Sequence, residues 1–185
     1  MRISEMNMET FRRYAKAGRV VVFDTETTGI SRHDQICQIA AAEYVNGELT
    51  RTMCAYVRPT CAMSPGAEAV HGLSMEFLEE NGMDPGEAMR SFFDFLGENV
   101  LLVAHNNVFD MRMLRQMCGE FDLCFNPEGV ELCDTLALSR WLLPELPSHA
   151  LGRLLEPLGV TGENSHDAMD DVMACAGVFF KLLFL

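Results

Sequence analysis

An aspartate and a glutamate sit two residues apart at the end of an apolar run, Val20-Val21-Val22-Phe23-Asp24-Thr25-Glu26-Thr27-Thr28-Gly29. Three β-branched valines and a phenylalanine in succession predict a buried strand. Side chains alternate along a strand, so Asp24 and Glu26 leave it on the same face and lie close together. Two such carboxylates repel, and a protein interior tolerates them only with raised pKa values or a cation between them. A divalent metal is the simplest partner. Hard carboxylate oxygens without a neighbouring Cys or His point to Mg²⁺ or Mn²⁺.

Two further acids could join this pair. Asp110 closes Leu102-Val103-Ala104-His105-Asn106-Asn107-Val108-Phe109-Asp110, in the first turn of the helix predicted after an apolar strand. An acid there is equally well explained as a helix N-terminal charge favoured by the macrodipole. The other candidate lies in Ser165-His166-Asp167-Ala168-Met169-Asp170-Asp171. Ala168, Val172, Cys175 and Phe179 form one face of the closing helix, and Asp171 falls inside that stripe. Asp170 aligns instead with Ala174, Gly177 and Lys181, a face predicted to meet solvent. An acid on a core-facing stripe needs a partner, so Asp171 is the informative one.

The elements that must hold these residues alternate in type. A short helix is expected over Glu5–Ala17, then the first strand, then strands over Gln35–Tyr44 and Leu49–Val57 joined by the hairpin signal Asn46-Gly47. Two short helical pieces follow, Ala67–Leu73 and Ser74–Glu80. Asp84-Pro85-Gly86-Glu87 starts a helix with Asp as N-cap, Pro at N1 and Glu at N3. Val100–Ala104 reads as a central strand and Val108–Cys118 as a helix. Leu132-Cys133-Asp134 reads as a last strand, with helices over Thr135–Leu142, His149–Leu158 and Asp167–Leu183. The fold class is therefore α/β with a mixed sheet flanked by helices.

At 185 residues and 49% hydrophobic, the chain is long enough for one sizeable core and too apolar to be disordered. Its net charge of −13 argues against non-specific duplex binding through a basic face. Five basic residues, Arg2, Arg12, Arg13, Lys16 and Arg19, precede residue 20 and offer a short phosphate-contacting arm. The seven cysteines show no CxxC pairing, so buried free thiols in a reducing, cytoplasmic setting are expected. Neither a signal peptide nor a membrane span is expected.

Taken together, the motifs resemble the DEDDh family of 3′–5′ exonucleases, and within it the proofreading epsilon subunit of bacterial DNA polymerase III. The first motif is Asp24-Thr25-Glu26-Thr27-Thr28-Gly29, the second His105-Asn106-Asn107-Val108-Phe109-Asp110, and the third His166-x-Ala168-x-x-Asp171. A family His-Gly dipeptide stands at His71-Gly72. The likeness runs from about Arg19 to Leu183, with the motifs in the family's order.

This resemblance implies a ribonuclease-H-like fold with a five-stranded mixed sheet, residues 1–18 being a short N-terminal helix or arm and 19–185 a single exonuclease domain. It implies that Asp24, Glu26, Asp110 and Asp171 hold two divalent cations, Mg²⁺ or Mn²⁺, for two-metal phosphoryl chemistry. His166 would be the general base, and Thr27, His71, Asn106 and Phe109 would meet the terminal nucleotide. Phe109 is open to a stacking role or a place in the core. His105 is expected to orient the second motif, and His33 and His149 are ordinary surface or satisfied histidines. Gln38 departs from the Glu common at its position in epsilon-like sequences. The sequence also ends straight after its last helix, without the extension by which the epsilon subunit grips its polymerase.

The expected activity is metal-dependent hydrolysis at single-stranded DNA 3′ ends, in proofreading or repair. The expected partners are a nucleic-acid 3′ end and a DNA polymerase subunit. A 3′–5′ exoribonuclease or oligonucleotide nuclease, and a non-catalytic docking module, are the alternatives weighed beside it.

Overall fold

Strand β1, Arg19–Thr27, is the middle strand of a five-stranded sheet ordered β3-β2-β1-β4-β5. The computed structural model describes residues 5–125, 128–162 and 165–185; Arg2 of the expected basic arm lies outside them. β2 (Ile36–Val45) pairs antiparallel with β1, and β3 (Glu48–Tyr56) antiparallel with β2. β4 (Val100–Ala104) and β5 (Val130–Asp134) extend the other side in parallel. This is the mixed sheet of the ribonuclease-H-like topology. The β2–β3 turn is Asn46-Gly47, with φ of 54° and 84°, the left-handed pair that a two-residue hairpin requires. β4 is buried throughout, as its apolar run predicts, but it is β1 that occupies the central position.

Alternation along β1 divides the core in two. Val20 and Val22 face one cluster with Ala40, Ala42, Leu101 and Val103. Val21 and Phe23 face the other, with Ile39, Ala41 and Leu102. The first cluster is covered by helices α1 (Glu5–Ala17), α7 (Leu151–Leu158) and α8 (Ala168–Leu183). The second is covered by α4 (Pro85–Leu96) and α5 (Asn107–Glu120). Short helices α2 (Pro65–His71) and α3 (Met75–Asn81) link β3 to α4, and α6 (Thr135–Leu142) follows β5. Burying a side chain of the size of Phe23 or Phe179 contributes about 1.5–3 kcal/mol, so both faces hold the sheet firmly.

Helix α1 packs on the domain through Met8, Phe11 and Ala15. Two of its basic residues reach the end of α8: Arg12 donates to the Leu183 carbonyl at 2.8 Å and Lys16 lies over Phe184. Helix α8 is buried more widely than its stripe predicts. Ala174 is fully buried rather than exposed, because the chain after α7 lies on that side. Gly177 permits the approach, since a Cβ there would stand 2.5 Å from Val160 Cγ1. Among the described residues, no helix is long and apolar enough to cross a membrane.

Candidate active site

The strand parity that splits the core also aims the acids. Asp24 and Glu26 continue the face of Val20 and Val22, toward α8, where Asp171 is 5% exposed. Thr25 points the opposite way and donates its hydroxyl to Asp110 Oδ1 at 2.7 Å. Asp110 stands in the first turn of α5 and is 4% exposed. Asp170 is exposed and accepts from Ser165 Oγ at 2.7 Å, so periodicity separates the two neighbouring acids as expected. His166 precedes α8 with a left-handed φ of 59° and an exposed side chain.

Electrostatics set these carboxylates apart from ordinary surface acids. Burial, reinforced by Asp110, Glu26 and Asp171, lifts Asp24 well above the usual carboxylate range. Burial, with Asp171 and Asp110 beside it, pushes Glu26 up to about 8. Burial raises Asp110 to about 7 against the opposing hydrogen bond from Thr25. The ion pairs among the described residues, Arg19–Glu43 and Arg51–Glu43, both lie elsewhere. One ligand atom each from Glu26, His166 and Asp171 fall within 4.8 Å of one another. Carboxylate oxygens with a single imidazole form a donor set that fits a hard divalent cation.

Two cavities meet at this cluster. The smaller, about 350 Å³, is lined by Thr25, Glu26, Thr27, Val70, His71 and Phe109. The larger, about 650 Å³, takes in Asp24, His105, Asn106, His166 and Asp171. Thr27, His71 and Phe109 thus come together, while Asn106 lines the other cavity. The His71 tautomer follows from its partners. Leu73 N–H donates to Nδ1 at 3.1 Å, which leaves Nε2–H to donate to the Thr27 carbonyl at 3.2 Å. Burial lowers the His71 pKa, in keeping with that neutral ring. Phe109 packs partly on the second core and also lines this cavity.

The sequence matches the family model RNase_T, described as exonuclease, over residues 21–179. The chain belongs to the RNase_T exonuclease family. It is 32% identical over 164 residues to the PolC-type DNA polymerase III of Oceanobacillus iheyensis, covering 88% of this chain and 11% of that one. It is 36% identical over 173 residues to a DNA polymerase III subunit epsilon-like protein of Rhodobacter capsulatus, covering 88% and 23%. The chain therefore spans only a minor part of these relatives. Among solved structures, E. coli exonuclease I in complex with a dA16 oligonucleotide superposes with a TM-score of 0.77 at 21% identity, over 89% of this chain and 40% of that one. That likeness is one of fold.

The candidate site also draws on residues outside the expected catalytic and substrate-binding set. Thr25, flanked by the two acids, orients Asp110 from the opposite face of β1. Gln38, directly opposite Glu26 in register, is 1% exposed and reaches the start of α8. His105 is tied through Nδ1 to Thr135 Oγ at 2.9 Å, and its ring also bonds the His149 backbone. His149, read as an ordinary histidine, and Arg140 both line the larger cavity. His33 is exposed. The only signal for Thr25 was its place inside the first motif.

Proposed function

We propose that this chain is a metal-dependent 3′–5′ exonuclease acting on single-stranded DNA ends. The observation that carries the proposal is the convergence of Asp24, Glu26, Asp110 and Asp171, with His166 beside them, where two cavities meet. In this reading the carboxylates hold two divalent cations, Mg²⁺ or Mn²⁺, which supply charge stabilisation at the phosphate and lower the pKa of water. Thr25 fixes the Asp110 carboxylate. His166 accepts the proton of the attacking water as its oxygen bonds to phosphorus. The bond from phosphorus to the 3′ oxygen breaks, and that oxygen leaves with the shortened strand and takes up a proton. An exposed imidazole at the mouth of the site can bind and release a proton in each cycle.

The terminal nucleotide belongs in the smaller cavity, where Phe109 offers an apolar face and Thr27 and His71 a polar rim, with Asn106 on the far side of the acids. Residues 19–185 are the nuclease domain in this proposal, with helix α1, Glu5–Ala17, packed on it. Single-stranded DNA as substrate is supported by the oligonucleotide complex of the similarly folded exonuclease I. A DNA polymerase as partner, and with it proofreading or repair, is supported by the names of the relatives. A cytoplasmic setting is supported by seven free cysteines, of which Cys37, Cys118, Cys133 and Cys175 are buried.

The test is incubation of 5′-labelled single-stranded DNA, duplex DNA and RNA with the protein and Mn²⁺ or Mg²⁺. A ladder shortening from the 3′ end, fastest on single-stranded DNA, is expected. Asp24→Ala, Glu26→Ala, Asp110→Ala and Asp171→Ala should abolish it, and Asp170→Ala should stay within a few fold of wild type. Faster loss of RNA would move the substrate to RNA, and no cleavage of any of them would end the enzymatic reading.

A further inference from the structure

The two cavities that meet at the carboxylates differ in chemistry. The smaller is lined mainly by apolar and backbone surface and holds neither lysine nor arginine. The larger holds Arg140, the only arginine or lysine among the residues lining either. Arg140 shares that cavity with Asp24 and Asp171, yet among the described residues it pairs with no carboxylate. Arg19 and Arg51, by contrast, both close on Glu43. A guanidinium left open in a cleft with acidic walls, in a chain of net charge −13, is a docking point for an anion that comes from outside.

The wall around Arg140 is built from fixed parts. Its neighbours on α6, Leu138 and Ser139, are fully buried. Ser139 Oγ donates to the Leu136 carbonyl at 2.9 Å and so accepts from His149 Nδ1–H at 3.1 Å. Ser148 Oγ accepts from the Ala150 N–H at 3.4 Å, and its hydroxyl proton has no acceptor among the described residues. Arg140, Ser148 and the His149 ring therefore face one polar space on the side of the acids away from Phe109 and His71.

We propose that Arg140, with the Ser148 hydroxyl, binds a backbone phosphodiester of the substrate strand upstream of the scissile bond. The proposal rests on the exonuclease reading above. With the terminal base in the apolar cavity and the scissile phosphate at the carboxylates, the rest of the strand leaves through the larger cavity. Its next phosphates then pass the one cation there. Arg140 thus selects a polynucleotide over a mononucleotide ester and offsets the repulsion between an acidic protein and its anionic substrate.

The experiment compares wild type, Arg140→Ala and Arg140→Lys, with saturating Mn²⁺, on two substrates. One is a short oligothymidylate carrying 5′-fluorescein; the other is the p-nitrophenyl ester of thymidine 5′-monophosphate, which has no upstream phosphate. For Arg140→Ala, kcat/KM should fall at least tenfold further on the oligonucleotide than on the ester, with Arg140→Lys between. The slope of log(kcat/KM) against log[KCl] should become shallower by about 0.7, the worth of one single-strand phosphate contact. Equal losses on both substrates with an unchanged salt slope would overturn the proposal. If wild type cleaved neither substrate, the exonuclease reading would fall separately. Anisotropy of the labelled oligonucleotide would then judge Arg140 alone: weaker, less salt-sensitive binding by Arg140→Ala supports the anion site, and identical binding removes it.

Discussion

Gln38 and Asp167, 129 residues apart in sequence, are joined by a hydrogen bond from Gln38 Nε2 to Asp167 Oδ2 of 3.0 Å. The same carboxamide accepts the Ala168 N–H through Oε1 at 3.2 Å. Asp167 uses its other oxygen, Oδ1, to cap α8, accepting from Met169 N–H at 3.0 Å and Asp170 N–H at 3.4 Å. One buried amide on β2 therefore clamps the start of the helix that carries Asp171, immediately after His166. It does so from the position opposite Glu26.

Gln38→Ala is expected to lower stability by about 1–3 kcal/mol, because it leaves the Ala168 N–H and an Asp167 oxygen without their buried partner. Loss of placement at His166 should appear in kcat more than in KM. Gln38→Glu keeps an acceptor for Ala168 but sets a carboxylate against Asp167, and Asp167→Asn in that background should restore much of the loss. Urea melts and steady-state rates on labelled DNA check both. An unchanged kcat in Gln38→Ala would confine the clamp to folding.

Metal should reverse a pH dependence built into the acids. Glu26 is raised to about 8 by burial and by its neighbouring carboxylates, and Asp24 is also raised. From about pH 4.3, the ordinary glutamate value, to about 8, the unfolded chain ionises while the folded site holds its proton. The unfolded state binds fewer protons in that window, so metal-free stability falls as pH rises. Mn²⁺ binds the ionised carboxylates. At a hundredfold excess over Kd it adds about 2.7 kcal/mol, or about 5–10 °C in Tm for a domain of this size. The Mn²⁺ shift should be largest near pH 8 and shrink toward pH 5. Metal-free melts that are flat with pH, together with no Mn²⁺ shift, would count against the site.

Strand alternation at Asp24 and Glu26 and helical periodicity at Asp171 were legible because both depend on neighbours within a few residues. The same short-range logic marked Asn46-Gly47 as the hairpin and Asp84 as a helix cap, where its Oδ1 accepts the Glu87 N–H at 3.1 Å. It failed at Ala174, which looks solvent-facing until Val160 and the chain after α7 lie on α8. It was silent on Gln38, whose partners are brought by tertiary packing. The family resemblance grouped Asn106 with Phe109 at the terminal nucleotide. Its left-handed φ of 67° and the bond from its N–H to Asp134 Oδ1 hold it on the other side, at the larger cavity.

Away from the site, Glu43 provides an acid-sensitive bolt across the sheet. Arg51, opposite it on β3, donates to both carboxylate oxygens at 2.9 and 3.0 Å, and Arg19 and Thr50 add further bonds. These contacts, Arg51 foremost, hold the Glu43 pKa down to about 2. A lowered carboxylate pKa stabilises the fold above the ordinary value, and that contribution is lost as pH falls from about 4.3. Glu43→Gln should therefore cost about 1–3 kcal/mol at pH 7, and the gap to wild type should close as pH approaches 2. A gap that stays constant down to pH 2 would show that ionisation of Glu43 contributes nothing.

His166 lies close enough to Glu26 and Asp171 to act either on the attacking water or as a ligand to metal. Its backbone favours the first role. It lies in the turn leading into α8, with a left-handed φ, and its side chain is exposed where a proton must reach solvent. His166→Ala should lower the single-turnover rate by about 10²–10⁴, the usual worth of such a group. The Mn²⁺-induced rise in Tm should survive the substitution, because the carboxylates still hold the cation. If that rise disappeared along with the rate, His166 would be a metal ligand. A variant with the full wild-type rate at pH 8 would make it neither base nor ligand.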